Sequence, residues 1–567
     1  MRFVKNNLSL YNEIFVIMIK IRITLLIIIS IYFHFISFGQ VYTTMENGNP
    51  DPWTSVSTYP KHEIRAVWLT TVKSLDWPRV KSVDEESMEK QKAELCNILD
   101  KLQNANINTV VLQTRVRGSV IYPSSIEPWD ECLTGTPCKD PGYDPLQFAI
   151  SECHKRGMEL HCWIVCIPLG DLKKQKGFGK NSITERYPYM CRKTSNDWFM
   201  RPDHPETGDY IASICHEITA RYDIDGISLD YIRYPERSYN YKDDCTPAQR
   251  RDNITSIVRK INAAVKPLKP WVKLSSSPIG KFRDLSRYSS KGWNSYDAVF
   301  QDAQGWLRDN LQDVLFPMMY FRGESFFPFL YDWLEHSYGH AIAPGLGIYF
   351  LDPSEGNWTL NDVWSEMHAS RNCGIGGLVF FRSDFFTRNN QGLYTRTCKE
   401  FYPTPCLSSR MTWSQDTISP TKPNELYHDV DGHCLYWIGS DERGPRDVSV
   451  DSDHDYVYYN IYGSNTYPVD TKSSKDLLKT MVRGTYLPLT GSLSGYRYYA
   501  MTSYDRFGNE SEGTQEYLME IKHDLRDVWN PRSRMTSSNE RVDDRKQAPS
   551  SESPVPPIPT SKSRRKR

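Results

Sequence analysis

The sequence has no surplus of charge of either sign: Lys+Arg and Asp+Glu stand at 69 each in 567 residues. Nucleic-acid binders need a strongly basic face to displace counterions from phosphates, so this balance removes any general argument for such a partner. CxxC pairs and His/Cys clusters at zinc spacing are also missing, which leaves no case for a metal centre, and no cofactor is expected. No Gly-rich phosphate turn follows the first predicted strand, where the chain reads TTVKSLDWP. A doubly wound dinucleotide-binding sheet is therefore disfavoured. Internal repeats are absent too. Cysteine is not scarce, but its 13 residues are odd in number and scattered. Only Cys132 and Cys138, in ECLTGTPCKD, sit close together in a polar loop where a bridge is easy.

What is present begins with MIKIRITLLIIISIYFHFISFGQ, Met18 to Gln40. Basic residues followed by an apolar run from Ile23 to about Phe38 read as a secretory signal with cleavage before Gln40, so residues 1–39 are assigned to it. The alternative is a single membrane anchor, since the run nears the lower limit for a spanning helix. No cysteine follows closely enough for a lipoprotein anchor. The mature protein is expected to be exported to the periplasm or cell envelope, meeting the membrane only transiently. Aromatics are high at 13%, which suits either sugar-binding clefts or a large core.

From Glu63 onward, short apolar runs alternate with amphipathic helices. The strand candidates are EIRAVWLTT, NTVVLQTR, GMELHCWIV, DGISLD, WVKLSSSP, DVLFPMMY, AIAPGLGIYF and GIGGLVFFR. Between them lie helical patterns such as Leu95, Ile98, Leu99 and Leu102, at i, i+3, i+4, i+7 spacing. Near-continuous hydrophobic strands alternating with helices imply a parallel sheet buried on both faces. The units between residues 60 and 403 fit an α/β fold of the (β/α)₈ TIM-barrel type. Residues 408–523, with HCLYWIG, DYVYYNIYG and YRYYAMTSYD, change texture and read as a small β-sandwich of the fibronectin type III kind. Residues 524–567 are polar, Pro/Ser-rich and finally basic (SKSRRKR), and are expected to be a disordered tail.

In such a barrel the C-terminal ends of the strands line the active site. Asp230 closes the fourth strand in DIDGISLDYIRYPE, so its carboxylate is expected to face the mouth, whereas Asp225 begins the strand and is read as structural. DGISLD resembles the DGFRLD pattern that carries the nucleophile in α-amylase-type barrels. Other strand ends supply planar donors and rings suited to sugar hydroxyls, N-acetyl groups and apolar sugar faces: Gln113 and Arg115, His161 and Trp163, Tyr320, Tyr349 and Arg382. Arg233 and Trp306 join them as expected substrate-binding residues.

EIRAVWLTT, NTVVLQTRVRGSVIYPSSIEPW, GYDPLQFAISECHKRGMELHCWI, RPDHPE, DIDGISLDYIRYP and QDAQGWL…DVLFPMMYF together resemble the bacterial glycosyl hydrolase-like 10 family over roughly residues 60–400. The resemblance implies an exported TIM-type barrel acting on peptidoglycan glycan strands, including strands stripped of their stem peptides. The chain departs from the family pattern at Ser119 and Tyr231, where an Asp is common, and both changes remove carboxylates. Glycoside hydrolysis normally uses two carboxyl groups. Asp230 is expected to be the nucleophile or base, with the acid to come from Asp302, Glu324 or Glu127. The function expected is hydrolysis of N-acetylated envelope glycan. The alternatives are a glycan-binding barrel without catalysis and a hydrolase of another extracellular polysaccharide.

Overall fold

The computed structural model describes residues 59–194, 197–236, 243–428, 433–439 and 457–516. The segments expected to be an export signal, residues 1–39, and a basic tail, residues 524–567, lie outside the described residues. Strands run in chain order as β1 (Ile64–Leu69), β2 (Thr109–Arg115), β3 (Glu159–Val165), β4 (Pro168–Asp171), β5 (Cys191–Thr194), β6 (Asp197–Met200), β7 (Gly226–Asp230), β8 (Lys273–Ser276), β9 (Val314–Leu315), β10 (Ala341–Ile342), β11 (Gly345–Leu346) and β12 (Gly377–Phe380). Nine of these form one parallel sheet in the order β10-β9-β8-β7-β3-β2-β1-β12-β11. Its two ends meet in one chain segment. Ala341 and Ile342 pair with β9, while Gly345 and Leu346 pair with β12. The sheet thus curls back on itself into a TIM-barrel-like body, and each strand segment expected from the sequence takes part.

The alternating pleat sorts side chains between two cores. Ala66, Trp68, Val111, Trp163, Val165, Phe316, Ala343 and Val379 fill the inside of the curled sheet. Val67, Leu112, Ile164, Leu229, Leu274 and Leu378 face outward into the larger core shared with the helices. Those helices include α1 (Glu85–Asn104), α2 (Pro145–Lys155), α3 (Pro205–Arg221), α4 (Pro247–Val265), α5 (Ala303–Arg308), α6 (Phe327–Glu335) and α7 (Leu360–Asn372). Capping explains several of their starts: Asp84 and Thr246 form capping boxes, and Pro145, Pro205 and Pro247 occupy first-turn positions where a missing N–H costs nothing. The strands β4, β5 and β6 form a small antiparallel sheet inside the β3–β7 connection. Its strands are four residues each and partly exposed, too short and polar to signal themselves in the sequence.

After residue 407 the chain forms two small antiparallel sheets. One joins β13 (Glu425–His428), β14 (Cys434–Ile438) and β17 (Tyr486–Pro488). The other joins β15 (Tyr458–Ser464), β16 (Leu477–Val482), β18 (Tyr498–Tyr504) and β19 (Thr514–Gln515). Leu426, Leu435, Trp437 and Leu487 of the first share one apolar cluster with Tyr459, Ile461, Tyr499 and Met501 of the second. This unit sits against the N-terminal ends of the barrel strands. Arg506 binds Asp223 and, at 3.0 Å, Asp225, both just before β7. Trp413 donates to Asp313 before β9 at 2.7 Å.

All thirteen cysteines are free thiols. The easy bridge expected between Cys132 and Cys138 does not form: Cys132 is buried, while the Cys138 Sγ turns to the Phe178 carbonyl at 3.8 Å.

Candidate active site

Asp230 lies on the inward-facing side of β7, in register with Val165, at the C-terminal end of the curled sheet. Its Oδ2 accepts from the Trp163 indole at 3.0 Å, and its Oδ1 accepts from the Tyr231 amide at 2.7 Å. Burial pushes the carboxyl above its ordinary value, and the pull of Arg233, the two hydrogen bonds and Arg117 does not restore it. A carboxyl in this state holds its proton at a higher pH than a solvated one. The backbone turns sharply just afterwards, with Tyr231 at φ 50°. That turn lays the Arg233 guanidinium 4.2 Å from the centre of the Tyr231 ring. Arg233 is buried, and its Nη2 donates to Glu236 at 2.9 Å, while Nε and Nη1 have no partner among the described residues.

Rings surround this carboxyl. Trp68 meets Phe316 and Phe381 edge-on, with centroids 6.1 and 5.7 Å apart. Tyr320 packs 5.4 Å from Phe381 and 5.9 Å from Tyr349. Burial and the nearby Asp230 hold the Tyr320 phenol well above its ordinary value, so it stays a neutral hydrogen-bonding group. Tyr349 continues to Phe350, which stacks on Trp358 at 4.8 Å. The structure therefore brings Asp230, Trp163, Arg233, Tyr320 and Tyr349 together at one end of the sheet.

Other expected site residues go elsewhere, for identifiable reasons. A register shift between Gln113 and Arg115 is a bulge that flips the following side chain to the other face. Arg115 consequently points outward and is fully buried against Glu127, at 2.6 and 2.8 Å. Glu127 also accepts from Tyr210 at 3.1 Å, so both belong to packing between β2 and α3. Gln113 is buried, and its Oε1 accepts from the Thr71 and Val72 amides at 3.0 and 2.8 Å, pinning the loop after β1. His161 faces inward but one pleat below Trp163, bonded to Glu159 at 3.1 Å. Its ring lies across Gly226, where a Cβ would come within 2.6 Å of it. Trp306 is 1% exposed and donates to Thr255 of α4 at 2.9 Å, so it packs helices together. Arg382 binds Asp76, and Asp76 also accepts from the Thr70 and Asp384 amides. That knot ties the loops after β1 and β12.

The other two expected acids, Asp302 and Glu324, are also taken up elsewhere. Asp302 caps α5 by accepting from the Gly305 amide at 3.2 Å; burial raises its carboxyl against the pull of that amide, Arg308, Arg283 and Arg251. Glu324 is exposed and accepts from Ser289 at 3.2 Å. Ser119 is buried and donates to Asp130 at 2.6 Å. Arg117 was missed by sequence reasoning. The RVRG spacing offers two arginines two residues apart: Arg115 is taken up by Glu127, and the charge of Arg117 acts on Asp230.

The chain matches the family described as Glycosyl hydrolase-like 10 over residues 63–349. It is 27% identical to Glycosyl hydrolase YngK of Bacillus subtilis (strain 168) over 496 residues, covering 80% of this chain and 92% of that protein. It is 29% identical to Glycosyl hydrolase DigH of Escherichia coli (strain K12) over 398 residues, covering 62% and 89%. Among solved structures, the PgaB (BpsB) glycoside hydrolase domain from Bordetella bronchiseptica is similar, with a TM-score of 0.42, 14% identity, and coverage of 60% of this chain and 99% of that one. The family match begins at β1, runs through the strands that present Trp163 and Asp230, and extends to Tyr349; the chain belongs to the glycosyl hydrolase-like 10 family.

Proposed function

We propose that the protein is an exported hydrolase that cuts glycosidic bonds in N-acetylated envelope glycan, with peptide-free peptidoglycan strands as its substrate. Its place among glycoside hydrolases rests on the family; the choice of glycan and the residue roles are our reading. The observation that carries it is Asp230, an inward-facing carboxyl that burial raises above its ordinary value, set among the rings of Trp163, Tyr320 and Tyr349. The direction of the shift favours the acid's role over the nucleophile or base expected from sequence. The charges acting most strongly on Asp230 are the arginines 233 and 117 rather than a second carboxylate. The substrate's own acetamide therefore takes the second role, as in hydrolases that use neighbouring-group participation.

In this scheme Asp230 gives its proton to the glycosidic oxygen while the acetamide carbonyl oxygen attacks C1. The C1–O bond breaks and the leaving sugar departs as an alcohol. Water then opens the cyclic intermediate at C1, giving its proton to Asp230, and configuration is retained. We read the curled sheet as a closed (β/α)₈ barrel, and the two small sheets, which share one core, as a fibronectin type III-like sandwich. The test is release of reducing ends from peptide-free strands by the purified protein. Product that disappears both with Asp230→Asn and on N-deacetylated strands supports the scheme. Cleavage of deacetylated strands at the same rate rejects the acetamide's role, and binding without product replaces hydrolysis by glycan recognition.

A further inference from the structure

We propose that Lys281, Ser290 and Ser325 form a second reactive centre, one that removes O-acyl esters from sugar hydroxyls with Ser325 as the nucleophile. The Lys281 amine bonds to the Ser290 hydroxyl, and Ser290 Oγ lies 2.9 Å from Ser325 Oγ. The three side chains thus make an unbroken relay from a buried amine to a half-buried hydroxyl. Lys281 is 5% exposed, and its Nζ lies 4.8 Å from the centre of the Phe321 ring and 5.2 Å from that of Phe329. Asp284, the acid that acts on it, is taken up by the Gly292 amide at 3.0 Å and the Asn294 side chain at 3.1 Å. Glu324, next to Ser325, accepts from Ser289 at 3.2 Å. Burial holds the Lys281 ammonium below its ordinary value against the pull of Asp284. A desolvated lysine gives up its proton more readily and can serve as a general base.

The fold sets this relay beside the mouth that holds Asp230. Lys281 follows β8, and the carbonyl of Gly280 before it accepts from the Trp333 indole at 2.7 Å. A Cβ at Gly280 would come within 2.4 Å of the Met318 carbonyl oxygen, so glycine is what lets the two segments approach. The Ser295 amide donates back to the Lys281 carbonyl at 2.8 Å, which closes the loop carrying Ser290. Ser325 comes from the segment after β9, just before α6, whose start has no side-chain cap. The positive end of that helix favours the negative charge that develops on an attacked carbonyl. Phe321, which covers Lys281, follows Tyr320 of the ring set around Asp230. A glycan lying in the mouth therefore brings its acylated hydroxyls next to Ser325.

The chemistry balances within the relay. Ser325 Oγ bonds to the ester carbon while its proton passes to Ser290 and the Ser290 proton passes to Lys281. The bond from the acyl carbon to the sugar oxygen breaks, and that oxygen takes a proton back along the same path. Water then attacks the acylated Ser325 and gives its proton to the relay. The carboxylic acid leaves and Ser325 is restored.

The experiment incubates the full chain with peptide-free glycan strands O-acetylated by acetic anhydride, and follows released acetate alongside reducing ends. A fluorophosphonate probe is expected to leave one adduct, located on Ser325 by peptide mass. Ser325→Ala, checked for an unchanged melting temperature, is expected to lose acetate release at least about a hundredfold while reducing-end release continues. Lys281→Arg keeps the charge without the base and is expected to lose acetate release at least about a hundredfold. In the wild-type protein acetate release should rise with pH, with a midpoint below the ordinary lysine value of about 10.4. Ser290→Ala, which cuts the relay, should lower acetate release at least about tenfold and flatten that rise. Acetate release that survives Ser325→Ala, or an adduct on Ser290 instead, overturns the assignment. Folded protein that neither releases acetate nor takes the probe also overturns it and leaves the cluster as a tie between two loops. Acetate release without reducing ends keeps this centre and rejects the glycosidic reading.

Discussion

Asp225 and Asp230 stand at opposite ends of β7, both more than nine-tenths buried, and their environments push them in opposite directions. At the N-terminal end, burial acts against ionisation of Asp225. His154 at 2.8 Å, Arg506 at 3.0 Å and the Leu160 amide at 2.8 Å more than offset it and hold the carboxyl far below its usual range. At the C-terminal end, Asp230 has one indole and one amide, and burial wins. The difference is supplied by what covers each end. The antiparallel unit brings Arg506 and Arg483 down onto the Asp223–Asp225 turn, whereas the opposite end is lined by rings. A charge with saturated partners belongs to folding, and one left short of them is available for chemistry.

The largest effect that sharpens this contrast is expected from Asp230→Asn. Turnover of glycan strands should fall roughly a thousandfold, while the melting free energy changes by less than about 1 kcal/mol. Asp225→Asn should do the reverse, costing about 3 kcal/mol or more in denaturant unfolding because it leaves Arg506 and His154 short of their counter-charge. The folded fraction of that variant should keep its activity per molecule. Equal stability losses in the two variants would break the comparison.

The pH dependences have opposite signs. Asp225 is depressed, so its contribution to stability is present above the ordinary carboxylate value near 4 and fades as pH falls below it. Asp230 is raised, so its contribution is present at low pH and fades as pH rises from about 4 towards its own higher value. Activity should fall along the same alkaline limb as the donor loses its proton. A smaller effect is expected at Glu366 in α7, which is 1% exposed, has both oxygens unpartnered among the described residues, and is raised by burial and by Asp362. Glu366→Gln should raise stability at pH 7 by about 1 kcal/mol and leave it unchanged at pH 4, read from urea midpoints. Smallest is Trp163→Phe. Loss of one donor to Asp230 should lower activity no more than about tenfold and move the alkaline limb upward.

Much of the architecture was legible because hydrophobic runs and helical periodicity are set locally. The eight strand segments of the parallel sheet and the inward face of Asp230 follow from a pleat of period two. Alternation tells inside from outside, however, and not height along the barrel. His161 and Trp163 share a face, yet only Trp163 reaches the mouth. Nor does alternation survive a bulge, which is why Arg115 was expected where the charge of Arg117 acts. Trp306 sits in a short helix whose packing partner, Thr255, is remote in sequence. The seat of the antiparallel unit on Asp223 and Asp225 depends on Arg483 and Arg506, far along the chain, so no local pattern announces it.

Asp230 is held above the ordinary carboxyl value and Asp225, at the other end of the strand, is held below it. The most direct measurement is a carboxyl titration followed by infrared difference spectra between the wild-type protein and Asp230→Asn. A protonated-carboxyl band, missing from the variant, is expected to persist above pH 4. A band that titrates at or below pH 4 contradicts it, and with it the role of Asp230 as proton donor.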